Sequence, residues 1–246
     1  MKHFKLTTET KISVLGVKLF RVEATIDFDC IEKGSKGGWV ESLSNLSGNA
    51  WVSGNAEVSG NAEVYGDARV YGNAWVYGDA EVYGNARVYG NARVYGNARV
   101  SGDAEVSGNA RVYGNARVYG NARVSGDAEV SGNARVYGNA WVYGDAEVYG
   151  DAEVSGDAEV SGNAEVYGNA RVSGNAEVSG EVFTLNIGYS LTLTDNHIQY
   201  GCKIKTVLEW GVWLDSDNVI LTSRSSDKFK LIEMSLRLAI EQHRQR

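Results

Sequence analysis

From Leu46 onward the chain keeps a six-residue beat. A branched aliphatic residue is followed by Ser or Tyr, Gly, Asn or Asp, Ala, and then a large polar or aromatic residue, here called x. The phrase [L/V]-[S/Y]-G-[N/D]-A-x runs from Leu46 to Glu177 without insertion or deletion, 22 hexads over 132 residues. Within A-x-V-Y, small and branched residues alternate with polar or aromatic ones. That period of two marks a strand with one buried face. Ala and Val are therefore expected to face inward, and x and the Ser/Tyr position outward. Glycine, and after it Asn and Asp, accept left-handed backbone better than other residues. Each hexad thus predicts a strand of about four residues followed by a short corner.

A strand this short cannot bury its apolar side alone, so the hexads must stack on one another. Three sides close a triangle, giving a coil of 18 residues with three valines and three alanines directed at a narrow interior. The 22 hexads then make about 7 coils, and at a strand spacing of about 4.8 Å a rod roughly 35 Å long. At roughly 1.5–3 kcal/mol per buried valine, the inner column contributes tens of kcal/mol before conformational entropy is subtracted.

The hexad resembles the hexapeptide repeat of left-handed parallel β-helix proteins, with aliphatic and small residues at the matching inward positions. The resemblance covers 132 of 246 residues. It implies a left-handed coil, which periodicity alone does not, since most β-crossovers are right-handed. The expected fold is an all-β solenoid: a left-handed parallel β-helix of about 7 triangular coils, with an N-terminal β cap and a C-terminal α+β cap. The flanks "LTTETKISVLGVKLFRVEATIDF…GGWVESLSNLSGNAWV" and "DNHIQYGCKIKTVLEW" look like the ends of phage- or prophage-borne hexapeptide proteins. Proteins of that type often carry the label "hexapeptide transferase" on the repeat alone.

An open solenoid end invites edge pairing, so both ends need covers. Residues 1–45 are expected to form an N-terminal β capping segment, 46–177 the β-helix, and 178–246 a C-terminal capping segment with one or two helices. "KISVLGVKLFRVEA" reads as two strands about a Leu15-Gly16 turn, and "FTLNI" and "SLTLT" read as strands. Thr206 and Glu209 form a capping-box pattern that opens a short helix, which Gly211 weakens. Phe229, Ile232, Leu236 and Ile240 lie at helical spacing in the last segment. That helix either packs on the cap or joins subunits.

Composition adjusts this picture at few points. There are 30 glycines, 14 tyrosines and no proline, so every corner is made without proline. The net charge of −7 argues against a general nucleic-acid binder. No run of apolar residues is long enough for a membrane span. The N-terminus lacks the apolar core of a signal peptide, so a cytoplasmic location is expected, the host cytoplasm if the gene is phage-borne. Cys30 and Cys202 lie in opposite flanks, too far apart for an intrachain disulfide if the flanks cap opposite ends.

Hexapeptide acyltransferases use a histidine base, and a general base must reach the substrate. The hexads contain no histidine and no inserted loop; His3, His197 and His243 all lie in the flanks. His197 stands near Asp195 and Cys202, a spacing that specifies no nucleophile. The glutamates fall on outward faces, and the glycines are single corners rather than a phosphate-cradling loop. No catalytic residue, metal ligand or cofactor is therefore assigned.

Information is left to the exterior. Residues 87–135 hold seven arginines against two glutamates and two aspartates, a net charge of +3; residues 141–177 hold one arginine against five glutamates and three aspartates, a net charge of −7. Trp75, Tyr77, Arg93, Tyr95, Arg111 and Tyr113 fall on one face and are of the types that carry interface energy. They are the candidate binding surface, unless the ladders only stack on themselves. The expected function is a non-enzymatic structural or protein-interaction scaffold, with acyltransferase as the alternative. The expected partner is another protein, with a homo-oligomer open. A polyanion bound by the central arginines, ice binding and end-to-end filaments rank below these.

Overall fold

The structure, a computed structural model, describes residues 3–180, 183–186, 190–200, 203–216 and 226–244. Each hexad contributes one parallel strand made of x and Val, from Trp51–Val52 to Glu177–Val178. Each strand bonds to the strand 18 residues away rather than to the next in sequence, as in Arg93↔Arg111 and Val94↔Val112. Every third strand therefore joins the same sheet. Among the described residues the hexads sort into a ten-stranded sheet, whose last seven strands are hexads, and sheets of eight and seven strands. This is a β-solenoid of about eight turns.

The paired strand is shorter than the alternation suggests, because only x and Val align fully before the chain turns. Bonding between coils nevertheless continues past the strand. Arg93 donates its N–H to Ala110 O (2.9 Å), Tyr95 to Val112 O (3.0 Å), and Asn97, already in the corner, to Gly114 O (2.8 Å). Corners are thus held as firmly as sides.

Glycine alone takes the left-handed step. The hexad glycines have φ between 59° and 74°, and among the described residues Asp29 is the one non-glycine with positive φ. The Asn and Asp that follow, the next most tolerant residues, are not left-handed. Their work is lateral. Asn97 donates its side-chain amide to Asn115, Asn115 to Asn133, and Asn133 to Asp151, at 2.9–3.2 Å. A second run passes from Asn121 through Asn139 to Asp157. Each run ends on aspartate, which accepts but cannot donate.

Inside, the hexad alanines and valines from Ala50 to Val178 are 0–1% exposed and form one continuous column. At its N-terminal end, β1 (Phe4–Ile12) and β2 (Lys18–Ala24) make an antiparallel hairpin, and β2 pairs with β3 (Lys36–Val40). β3 already stacks in the 18-residue register, Trp39 on Glu57 and Val40 on Val58. Phe28 meets Trp51 edge-on at 5.7 Å, which leaves Trp51 buried.

The C-terminal cap is a four-stranded antiparallel sheet followed by two helices, α1 (Val207–Leu214) and α2 (Asp227–Arg244). The strands Phe183–Asn186 and Ser190–Leu193 match the sequence reading; His197–Tyr200 and Lys203–Thr206 were not foreseen. The capping box of Thr206 and Glu209 opens α1. Phe229, Ile232 and Leu236 are buried against Trp210, and Ile240 is partly buried. The cap meets the last coil through a backbone bond, Asp195 N–H to Glu177 O (3.3 Å), and through side chains: Asn196 Oδ1 accepts the Glu177 N–H (3.2 Å) and Thr192 Oγ1 that of Arg171 (3.2 Å). Cys30 is an exposed free thiol; Cys202 lies outside the described residues. Among the described residues no helix is long and apolar enough to cross a membrane.

Candidate interaction surface

Trp75, Arg93 and Arg111 occupy the x positions of three consecutive strands in the ten-stranded sheet, in direct register. Tyr77, Tyr95 and Tyr113 follow two residues later, so all six candidates share one face. The Arg93 guanidinium lies 4.8 Å from the centroid of the Trp75 ring. Tyr77 and Tyr95 stack at 4.9 Å, and Tyr95 and Tyr113 at 5.0 Å, with rings within 3° of parallel. The other tyrosine stacks among the described residues hold two rings each, for example Tyr65 on Tyr83. The 18-residue coil produces this directly: identical side chains one coil apart are held at strand spacing, where rings touch face to face.

A second regularity was missed in the sequence. A tyrosine hydroxyl reaches the glutamate 16 residues later, one coil on and two positions back. Tyr65 bonds Glu81 (3.1 Å), Tyr89 bonds Glu105 (3.2 Å) and Tyr113 bonds Glu129 (3.0 Å). Tyr143 and Tyr149 reach Glu159 and Glu165 in the same way. Arginines add lateral ion pairs, such as Arg111–Glu129 at 2.7 Å and Arg99–Glu81 at 3.0 Å. Much of the outward chemistry therefore ties coil to coil. The legible signal was the n, n+16 spacing of Tyr and Glu.

These contacts alter ionisation. Burial first, then the hydrogen bond to Glu81, pushes the Tyr65 hydroxyl from 10.0 up to about 12. Burial also raises Tyr71, Tyr77, Tyr95, Tyr113 and Tyr119. The neutral phenol is favoured in the folded state, so above pH 10 the folded chain holds more protons than the unfolded one. Stability is then complete below pH 10 and falls as pH rises toward about 12. Ultraviolet titration should show tyrosinate forming late, and thermal midpoints should drop from pH 10 upward. Tyrosines that ionise near 10 with no change in midpoint would contradict the stacked geometry.

The histidines sit in the caps. His197 Nδ1 lies 2.7 Å from Asn196 Oδ1, His243 Nε2 lies 2.7 Å from Asp195 O, and the His3 ring packs 5.4 Å from Phe28. Two adjoining shallow depressions on the eight-stranded sheet share Asn121 and Arg123. One is bounded by Arg87 and Glu105, the other by Trp141 and Glu159. Neither brings a histidine to the rod.

Seven segments, 62–78, 80–94, 92–107, 104–118, 116–129, 128–144 and 164–180, match the family described as YdcK Beta solenoid repeat. All lie within the stacked coils except for the last two residues of the final segment, which pass the end of the last strand. None of the curated proteins compared matches the chain. The chain is a β-solenoid repeat protein, similar over much of its rod to the YdcK repeat.

Proposed function

We propose that this chain is a non-enzymatic structural scaffold that presents the face of Trp75, Arg93 and Arg111 to another protein. The observation that carries the reading is the convergence of a Trp–Arg contact and a three-ring tyrosine stack on one sheet face. Side chains of these types, already held in place by stacking, lose little freedom on binding. The blocks of charge along the rod support the same reading, because rod stability alone favours alternation. The flanks' likeness to phage- and prophage-borne proteins is the sole ground for proposing a phage origin and, with it, a host-cytoplasmic location.

The acyltransferase alternative requires a base that can reach a substrate held against the coils. His197 is partly buried in the C-terminal cap beside Asn196. Two assays separate the readings. Affinity capture from host extract is expected to retain a partner with the wild type and to lose it, on the order of thirtyfold, with the double variant Trp75→Ala, Arg93→Glu. Acyl-CoA turnover that disappears in His197→Ala would replace the scaffold reading with the enzymatic one.

A further inference from the structure

We propose that the partner at this face is a second copy of the chain, docked antiparallel about a two-fold axis that runs along the strands between Arg111 and Glu129. The inference rests on the reading of this face as an interaction surface and names what binds there.

The x positions of the hexad strands in the sheet run Glu57, Trp75, Arg93, Arg111, Glu129, Glu147, Glu165, and Glu57 is taken up by Lys11 of the N-terminal hairpin at 2.9 Å. In the middle of the rest, Arg111 and Glu129 pair within the chain at 2.7 Å. One strand outward on each side, the charges are unmatched. Arg93 rests on Trp75 and has no carboxylate within ion-pair distance among the described residues. Glu147 lies between Glu129 and Glu165, a like charge on either side, and its side chain makes no ion pair or hydrogen bond among the described residues. Both side chains are exposed. A lone rod gains nothing from this order, because stacked like charges repel.

A two-fold axis lying in the face and directed along the strands reverses the order of strands and leaves position along each strand unchanged. It sets Arg93 against Glu147 of the second copy, and Glu147 against Arg93 of the second copy. The x row meets the x row, and the tyrosine row meets the tyrosine row: Tyr95 faces Tyr149, and Tyr77 faces Tyr167, which is 45% exposed. Each contact occurs twice, as an isologous interface requires. A two-fold along the rod axis would set Arg93 on Arg93 and Glu147 on Glu147, which repel. The other sheets fit less well. On the eight-stranded sheet the same operation sets, outward of its centre, Trp141 against Arg87, which already pairs with Glu105, and Glu159 against Arg69, which already pairs with Asp29. On the seven-stranded sheet an axis through the middle sets arginine against arginine, since Arg99, Arg117 and Arg135 are consecutive there.

Sedimentation of the full chain at low ionic strength is expected to give the mass of two chains, falling to one as salt rises. Arg93→Glu alone and Glu147→Arg alone should each weaken the dimer on the order of tenfold to a hundredfold, because each sets like charges together twice. Mixed in equal amounts, the two variants should pair again. In the mixed dimer the carboxylate introduced by the first substitution meets the guanidinium introduced by the second, and the unchanged Glu147 of one chain meets the unchanged Arg93 of the other. Both substitutions are outward, and circular dichroism is run alongside to check that each variant is folded. Arg123→Glu, on another sheet, should leave the dimer intact. A monomeric wild type, a dimer indifferent to both charge reversals, or a mixture that stays monomeric would overturn the inference. If the wild type is monomeric yet the Trp75→Ala, Arg93→Glu variant loses a captured protein, the face binds a different partner and only this inference fails. If neither association occurs, the reading of the face fails as well.

Discussion

Gly126→Ala is expected to destabilise the rod by about 3–5 kcal/mol, whereas Gly168→Ala costs about 1–2 kcal/mol. Both glycines have positive φ, 71° and 62°, so any L side chain is strained by the left-handed step at either place. Their surroundings differ. A Cβ on Gly126 would stand 2.8 Å from Gly144 O and 2.9 Å from Gly144 N, while one on Gly168 meets nothing within 4 Å. The obstructing atoms are backbone, and Gly144 O also accepts the Asp127 N–H at 2.8 Å. Relief of the clash therefore opens the corner bond between two coils. Denaturant unfolding followed by circular dichroism gives both values, and their difference isolates the cost of stacking. Equal losses would mean that the corners do not bear on one another. Because each coil touches only its neighbours, damage in the middle can also split the transition in two.

The rod was legible because its signal is repeated 22 times with no change of register. Alternation placed Ala and Val inside, and the 18-residue coil placed Trp75, Arg93 and Arg111 on one face. What was not legible is where hydrogen bonding is non-local. Asn and Asp were read as backbone formers because those residues tolerate left-handed conformations in general. Here the preceding glycine takes that step, and the side chains are left free to bond across coils. The strands His197–Tyr200 and Lys203–Thr206 were missed for a related reason. Their sequences, HIQY and KIKT, are too short and polar to show a pattern; they become strands by pairing with each other and with Ser190–Leu193.

The candidate surface was legible as a set of positions but not as a set of bonds. Stacking at one-coil separation follows from the period alone, and the rings lie where it puts them. The engagement of Glu129 by both Arg111 and Tyr113 depends on side-chain reach along and across strands. That reach is what leaves Arg93 and Glu147 as the unmatched pair. Composition had shown only that charge is grouped along the rod. Which charges remain available to a partner emerges once those engaged between coils are subtracted.

Val112→Asp is expected to cost more than about 4 kcal/mol at neutral pH, against about 2 kcal/mol for Val112→Ala. Val112 is fully buried, with Val94 and Val130 as its neighbours above and below in the sheet. Alanine there leaves a small void. Aspartate leaves a carboxylate among methyl groups, and the backbone N–H groups nearby are already committed to the ladder. Burial raises the acid's pKa above its ordinary value of about 3.9. The folded variant then holds more protons than the unfolded one, so its stability relative to wild type is greatest below about pH 4 and is lost as pH rises through the raised value. Val112→Asn carries a similar polar group without the ionisation, and its deficit should not vary with pH over that range. Melting all three variants between pH 4 and 8 separates the void, the polar group and the charge. An aspartate variant as stable as the alanine one, with no dependence on pH, would mean that water reaches the column. The exterior positions would then no longer be the only ones free to vary.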